Sequence, residues 1–220
     1  MTGESTVAQL RITEIFHSLQ GEARSVGLPT VFVRLTGCPL RCVWCDTEYA
    51  FAGGDLMSLA EVMEVVAGFG CNRVCVTGGE PLAQPECLLL LTALCDAGCE
   101  VSLETSGALS IAEVDLRVSR VMDLKCPDSG ESHRNRWDNM ECLTPHDQVK
   151  FVLASRADYD WARFKIDEFS LAQRVGDVLF SPTHGGLSPR ELAEWMLSDG
   201  VNARFQLQLH KLLWNDEPGH

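Results

Sequence analysis

Short apolar or alternating runs recur along this chain, separated by stretches of helical period. Residues 11 to 16, Arg-Ile-Thr-Glu-Ile-Phe, alternate polar with apolar and predict a strand with one solvated face, followed by a loop over His17 to Glu22. Val31 to Thr36 predicts a second strand. After the Gly53-Gly54 break, Leu56 to Phe69 has helical spacing, with Ser58 as a cap and Glu61 completing a capping box. Arg73 to Thr77 predicts a buried strand running into Gly78-Gly79-Glu80-Pro81, and a helix from Pro85 to Ala97 ends at Gly98. A strand at Glu100 to Glu104 then enters Thr105-Ser106-Gly107. Val118 to Leu124 predicts a strand ending at Lys125-Cys126-Pro127, and residues 128 to 147 form a polar excursion. Beyond it come a strand (Gln148 to Leu153), a helix (Arg156 to Gln173), a strand (Val178 to Ser181) that opens into Pro182-Thr183-His184, a helix (Pro189 to Leu197) and a strand (Arg204 to Leu209). Asn215 to His220 is expected to fray.

Strand, loop, helix in repeated succession favours a mostly parallel sheet with right-handed crossovers. The 220 residues fall short of the ~250 typical of a closed eight-unit barrel. The expectation is an α/β fold, a partial, open TIM-like β/α barrel of six or seven strands, in a single domain over residues 1 to 220. In such folds chemistry gathers in the loops at the C-terminal ends of the strands.

Charge and composition narrow the function. A net charge of −13 argues against a general nucleic-acid binder, which needs a basic footprint. A small anionic ligand can still be held by a local cation such as Arg34. No apolar run reaches the ~18 to 20 residues of a membrane span, and Met1 to Thr6 lacks the charged and apolar regions of a secretory leader. A reducing cytoplasm is the expected setting, where the ten cysteines are metal ligands or core residues rather than disulfides.

The chemistry concentrates in Thr36 to Thr47, where Cys38, Cys42 and Cys45 are spaced Cys-x-x-x-Cys-x-x-Cys. Three thiolates on one loop suit three irons of a cubane cluster. They also suit zinc, although no paired His or Cys partner stands out, or they are simply packed core thiols. Cys71 and Cys75, like Cys95 and Cys99, repeat the x-x-x spacing in apolar surroundings and read as packing residues. Gly37, Pro39, Arg41 and Asp46 mark the Cys38 segment as a loop instead. In Gly78-Gly79-Glu80-Pro81, two glycines allow close backbone approach and a carboxylate can accept from an ammonium; the same residues also make an ordinary strand-to-helix turn. Asp46-Thr47 offers hard oxygen donors for magnesium, or a helix cap.

With Trp44 before the last cysteine, the loop resembles that of the radical S-adenosylmethionine (SAM) superfamily. More narrowly, Phe16-His-Ser-Leu-Gln-Gly-Glu22, Phe32-Val-Arg-Leu-Thr-Gly-Cys38, Trp44-Cys-Asp-Thr47, Glu104-Thr-Ser-Gly107 and Gln208-Leu-His-Lys211 resemble the 7-carboxy-7-deazaguanine synthase family. The resemblance implies conversion of 6-carboxy-5,6,7,8-tetrahydropterin to 7-carboxy-7-deazaguanine with loss of ammonia, on the way to queuosine and related 7-deazapurines. It further implies a 4Fe-4S cluster, SAM, Mg2+, a homodimer, and electrons from a flavodoxin-like or other reductant. No catalytic side chain is implied, because the 5′-deoxyadenosyl radical takes the hydrogen from pterin C6.

Carried onto this sequence, the resemblance places Cys38, Cys42 and Cys45 on the cluster and Thr47 on magnesium. Leu19, Gln20, Gly21, Glu22, Arg34, Thr105 and His210 would face the substrate. Trp44, Cys45, Asp46, Gly78, Gly79, Glu80, Gly107, Lys125, Cys126, Pro127, Pro182, Thr183 and His184 would face SAM, with Glu80 holding its amino group. Two departures stand out. Lys125-Cys126-Pro127 occupies the place where many relatives carry Ser-Pro-Lys, and Ala23 stands where a glycine is usual. Rival readings are another small radical SAM enzyme, such as an activase of glycyl-radical proteins, and a zinc-binding interaction module.

Overall fold

The computed structural model describes residues 8 to 215, 217 and 219. The expected absence of a leader at Met1 to Thr6, and part of the expected fraying after Asn215, lie outside them. Strand β1 (Gln9–Leu19) pairs antiparallel with β2 (Pro29–Leu35) on one side and with the short β3 (Asp55–Ser58) on the other. From β2 onward every pairing is parallel, through β4 (Arg73–Gly78), β5 (Glu100–Thr105), β6 (Ser119–Asp123), β7 (Gln148–Leu153), β8 (Asp177–Pro182) and β9 (Arg204–Phe205). The order is β3-β1-β2-β4-β5-β6-β7-β8-β9, so the two edges do not meet and the barrel is open.

Both faces of these strands are covered, but by different chemistry. Outward-facing positions, such as Val31, Val33, Val74, Val76, Leu103, Met122, Phe151 and Phe180, join one apolar core with helices α1 (Leu59–Gly68), α2 (Cys87–Asp96), α3 (Arg156–Glu168) and α5 (Pro189–Asp199). The intervening positions, among them Phe32, Arg34, Thr77, Glu104, Val121, Asp123, Lys150 and Val152, line a cleft along the inner face. Because side chains alternate along a strand, one register sends the apolar set outward and the polar set inward.

Several elements depart from expectation. The loop expected at His17 begins only after Leu19, because cross-strand partners from Phe16↔Phe32 to Leu19↔Pro29 keep β1 in the ladder. The helix expected from Leu56 starts at Leu59; Asp55–Ser58 is instead captured as an edge strand by β1, while the Ser58/Glu61 capping box forms as expected. The helix expected over Arg156 to Gln173 breaks at Phe169 and Ser170, the latter at φ +51°, and resumes as the single turn α4 (Leu171–Arg174). The last strand stops at Phe205, and Leu209 opens helix α6 (Leu209–Trp214). Among the described residues nine strands form where six or seven were expected, although seven of them, β2 and β4 to β9, make up the parallel part.

Residues 128 to 147 are more than an excursion. They fold as three short 3-10 turns clasped to the cysteine loop: Val43 N donates to Ser129 O at 3.1 Å and Arg41 N to Glu131 Oε1 at 2.7 Å. No helix among the described residues is long and apolar enough to cross a membrane.

Candidate active site

The cysteine loop leaves the C-terminal end of β2 through Gly37, whose φ of +101° lies in the region that favours glycine. Gly37 N donates to Ala50 O at 2.7 Å, and Gly37 O accepts from Glu80 N at 2.8 Å, so the Gly-Gly-Glu turn after β4 is seated against the base of the loop. A Cβ on Gly79 would lie 2.4 Å from Gly37 O and 2.7 Å from the Cys38 Cβ. Gly79→Ala should therefore displace the cysteine loop, cost about 1–3 kcal/mol through overpacking, and lower the iron retained after reconstitution; thermal melts and iron analysis check both.

Cys38, Cys42 and Cys45 are half-buried free thiols on the wall of the cleft. Burial pushes the Cys38 thiol up, and it pushes Cys42 up to about 11, against the pull of the nearby Lys125 ammonium. Metal uptake has to displace those protons, which makes it pH-dependent. Three soft thiolate donors on one loop suit three irons of a 4Fe-4S cluster and leave the fourth without a protein sulfur.

Glu80 sits behind the cleft wall. It is completely buried and does not line the cleft; its carboxylate accepts from Thr105 Oγ1 at 2.9 Å, Ser106 N at 2.7 Å and Leu82 N at 3.1 Å. Its observed work is to fix the Thr105-Ser106-Gly107 turn at the end of β5. Gly107, at φ +70°, sits against Met122, and Cys126 is buried in the apolar core. Neither they nor Pro127 and Pro182 line the cleft, whereas Gly78, Gly79, Trp44, Asp46, Thr105, Lys125, Thr183 and His184 do.

The cleft has a volume of about 580 Å3 and joins this loop to a charged lumen. Lys150 Nζ lies 2.5 Å from Glu22 Oε2 and 3.5 Å from Asp123 Oδ2, and Lys125 Nζ lies 3.1 Å from the same Asp123 oxygen. Burial opposes the charge on Lys150, but Glu22, Asp123 and Glu104 outweigh it and raise its pKa well above the ordinary value. Gln20 ties the N-terminal side to β5, with Nε2 donating to Glu104 Oε1 at 3.5 Å and Oε1 accepting from Glu22 N at 3.1 Å. Phe16 and Phe32, both lining the cleft, stack on each other at 4.9 Å, and Arg34, over the Phe16 ring, spends its Nε on Glu14 at 2.7 Å.

The C-terminal helix closes one side. Leu209 N donates to Gly21 O at 3.0 Å, and a Cβ on Gly21 would meet His210 Nδ1 at 2.1 Å, so Gly21 and His210 need each other's shape. Gln208 Nε2 reaches Asp46 Oδ2 at 3.3 Å. Burial resists ionisation of Asp46, but Lys211, Lys150, His210 and Arg34 prevail and hold its carboxyl below the usual value. Ala23 adopts φ +65°, which explains why a glycine suits this turn; its methyl is instead buried against Val121 and Leu179.

Comparison with known proteins agrees with this architecture. A model of the radical SAM superfamily matches residues 32 to 119. The 7-carboxy-7-deazaguanine synthase of Koribacter versatilis is 43% identical over 94% of this chain and 98% of its own. That of Chlorobaculum tepidum is 44% identical over 97% and 98%. The chain belongs to the 7-carboxy-7-deazaguanine synthase family. The structure of QueE from Escherichia coli superposes with a TM-score of 0.73 at 22% identity, covering 92% of this chain and 95% of that one, and so shares the fold. SuiB from Streptococcus suis, solved bound to S-adenosylmethionine, aligns at TM-score 0.56 and 13% identity, covering 78% of this chain and 45% of that one.

For this family member, the structure brings the three cysteines, Thr47, Leu19 to Glu22, Arg34, Thr105 and His210 to one cleft. Glu104, Asp123, Lys150 and Lys211 also line it and were not among the expected site residues. A lysine inside Gln-Val-Lys-Phe-Val-Leu and an acid closing Val-Met-Asp were the available signs, since a charge on a buried strand needs a partner.

Proposed function

We propose that this chain converts 6-carboxy-5,6,7,8-tetrahydropterin to 7-carboxy-7-deazaguanine with release of ammonia, using a 4Fe-4S cluster, SAM and Mg2+. What carries the reading is one cleft that joins the three-cysteine loop to a small charged lumen, in a chain 43% identical to a named synthase over nearly its whole length. A cluster held by Cys38, Cys42 and Cys45 supplies one-electron cleavage of SAM.

The chain's own residues do the rest. Gly78 and Gly79, which line the cleft at the C-terminal end of β4, would present backbone to SAM, and Glu80 acts behind them by holding Thr105 and Ser106. Phe16 and Phe32 give the cleft an apolar side, and the carboxylate of the substrate would fall to Arg34. No described residue accepts from the Nη groups of Arg34, which leaves its planar fork for a bidentate clamp. Magnesium usually takes one or two protein oxygens and completes its shell with substrate and water. Thr47, supported by Asp46, fits that modest demand. The enzyme would work in the cytoplasm as a homodimer fed by a flavodoxin-like or other reductant.

The deciding experiment is anaerobic assay of reconstituted protein with the carboxypterin and SAM, with and without magnesium. We expect 7-carboxy-7-deazaguanine and 5′-deoxyadenosine together; SAM cleavage with no 7-deazapurine product would favour an activase. Thr47→Ala should raise the magnesium needed for half-maximal activity by about tenfold or more, with a smaller change in SAM binding. An unchanged magnesium titration would remove Thr47 from the metal site.

A further inference from the structure

Lys150 stands at the middle of β7, only 8% exposed, and no part of the proposed chemistry requires it. Asp123 is its Cα partner across the β6 to β7 register, so the two charges are neighbours by construction. Glu22 comes from the distant turn after β1, is 5% exposed, and places Oε2 on the Lys150 ammonium. A buried carboxylate is costly without such a partner, and one partner fixes only one oxygen. Among the described residues, no protein group donates to Glu22 Oε1, while Gln20 holds the Glu22 backbone through its N–H. Asp123 Oδ1 is likewise buried without a hydrogen-bond partner. Two carboxylates, gripped from behind by one lysine, thus keep one oxygen each in hand.

We propose that Lys150 is a positioning residue for the substrate, holding Glu22 so that its carboxylate receives the N–H and NH2 donors of a planar 2-amino-4-oxo heterocycle. This rests on the carboxypterin reading of the cleft. A carboxylate accepts two parallel N–H bonds in the same plane, which is the pattern that edge presents. Lys150 acts through Glu22, and its second contact, to Asp123, keeps the ammonium from following the ligand.

The test uses reconstituted full-length protein and four variants: Lys150→Met, Lys150→Arg, Glu22→Gln and the double Glu22→Gln/Lys150→Met. Steady-state kinetics give KM for the carboxypterin and kcat, calorimetry gives Kd for 7-carboxy-7-deazaguanine, and melts with iron analysis report the fold. Lys150→Met should raise KM and product Kd together by about tenfold, with a smaller fall in kcat, since a charge-assisted contact is lost. Lys150→Arg should recover part of the affinity. The double variant should bind no worse than Glu22→Gln, because both changes remove one device. A lowered melting temperature with KM and Kd unchanged would make Lys150 merely structural and overturn the inference, as would losses that multiply in the double variant. If Lys150→Met does not fold, the double variant against Glu22→Gln decides in the same way. Wild-type protein that cleaves SAM and binds no 7-deazapurine would instead sink the functional reading itself.

Discussion

Cys42→Ala should leave reconstituted protein without its broad visible absorbance and reduce SAM cleavage by more than the ~10- to 100-fold that loss of an outer hydrogen-bond partner costs a metal site. The loop offers no substitute. Cys38, Cys42 and Cys45 are the cysteines on the cleft wall, whereas Cys75, Cys87 and Cys126 are buried in other surroundings. Cys71, Cys95 and Cys99 pack against the outward core. Water is a poorer ligand than thiolate for a cluster iron, so it does not make good the lost sulfur. Iron and sulfide analysis with absorbance of anaerobic material checks the first half, and 5′-deoxyadenosine formation the second. Normal cleavage by the variant would refute the cluster assignment. A colourless wild-type protein carrying one zinc would return the chain to the interaction-module reading.

A second large effect is expected far from the sulfurs. Arg120 of β6 and Asp147, just before β7, form an ion pair with side chains 2% and 0% exposed. Asp147 Oδ1 accepts from Arg120 N at 3.0 Å and Nε at 2.8 Å, and Oδ2 accepts from Thr144 N at 2.8 Å and Thr144 Oγ1 at 2.9 Å. This one carboxylate therefore pins the return of the 128 to 147 segment to the strands that carry Asp123 and Lys150. Asp147→Asn leaves a buried guanidinium without its counter-charge and should cost about 3–5 kcal/mol in urea unfolding at neutral pH. Arg120→Met/Asp147→Asn together should recover much of that loss, because no uncompensated charge then stays buried.

The same pair predicts an acid limb. Burial raises the Asp147 pKa, but hydrogen bonds from Arg120 and Thr144 more than offset this and depress it. A carboxyl whose folded pKa is below its unfolded value contributes fully above the unfolded value, about 3.9, and loses that contribution as pH falls through the folded one. The stability gap between wild type and Asp147→Asn should thus be constant near neutrality and narrow below about pH 4. A gap independent of pH would show that the pair stabilises through shape rather than charge.

Lumen and sulfurs are linked through the same segment. Asn135 exchanges hydrogen bonds of 2.9 Å with the Lys125 backbone on both sides, while Glu131 and Ser129 hold the cysteine loop. Loosening Asp147 would therefore reach Lys125 and the cluster loop together, and iron retention in Asp147→Asn should fall along with stability.

What the linear sequence determined by itself is local. The alternation of strand and helix, the Ser58/Glu61 cap, and a cysteine loop and a Gly-Gly-Glu turn at strand ends all depend on residues within a few positions of one another, where spacing and turn chemistry leave a readable mark. Strands covered on both faces defeat that reading, because burial alone does not say which side meets helices and which meets ligand. Lys150, Asp123, Glu104 and Glu22 become a lumen only when β5, β6 and β7 lie side by side and the turn after β1 folds over them. Glu80 turned inward for the same reason: the buried donors of Thr105 and Ser106, 25 and 26 positions away, claimed its carboxylate. Contacts of that separation are bought with chain entropy and repaid by partners that no local pattern announces, so the tertiary structure alone decided them.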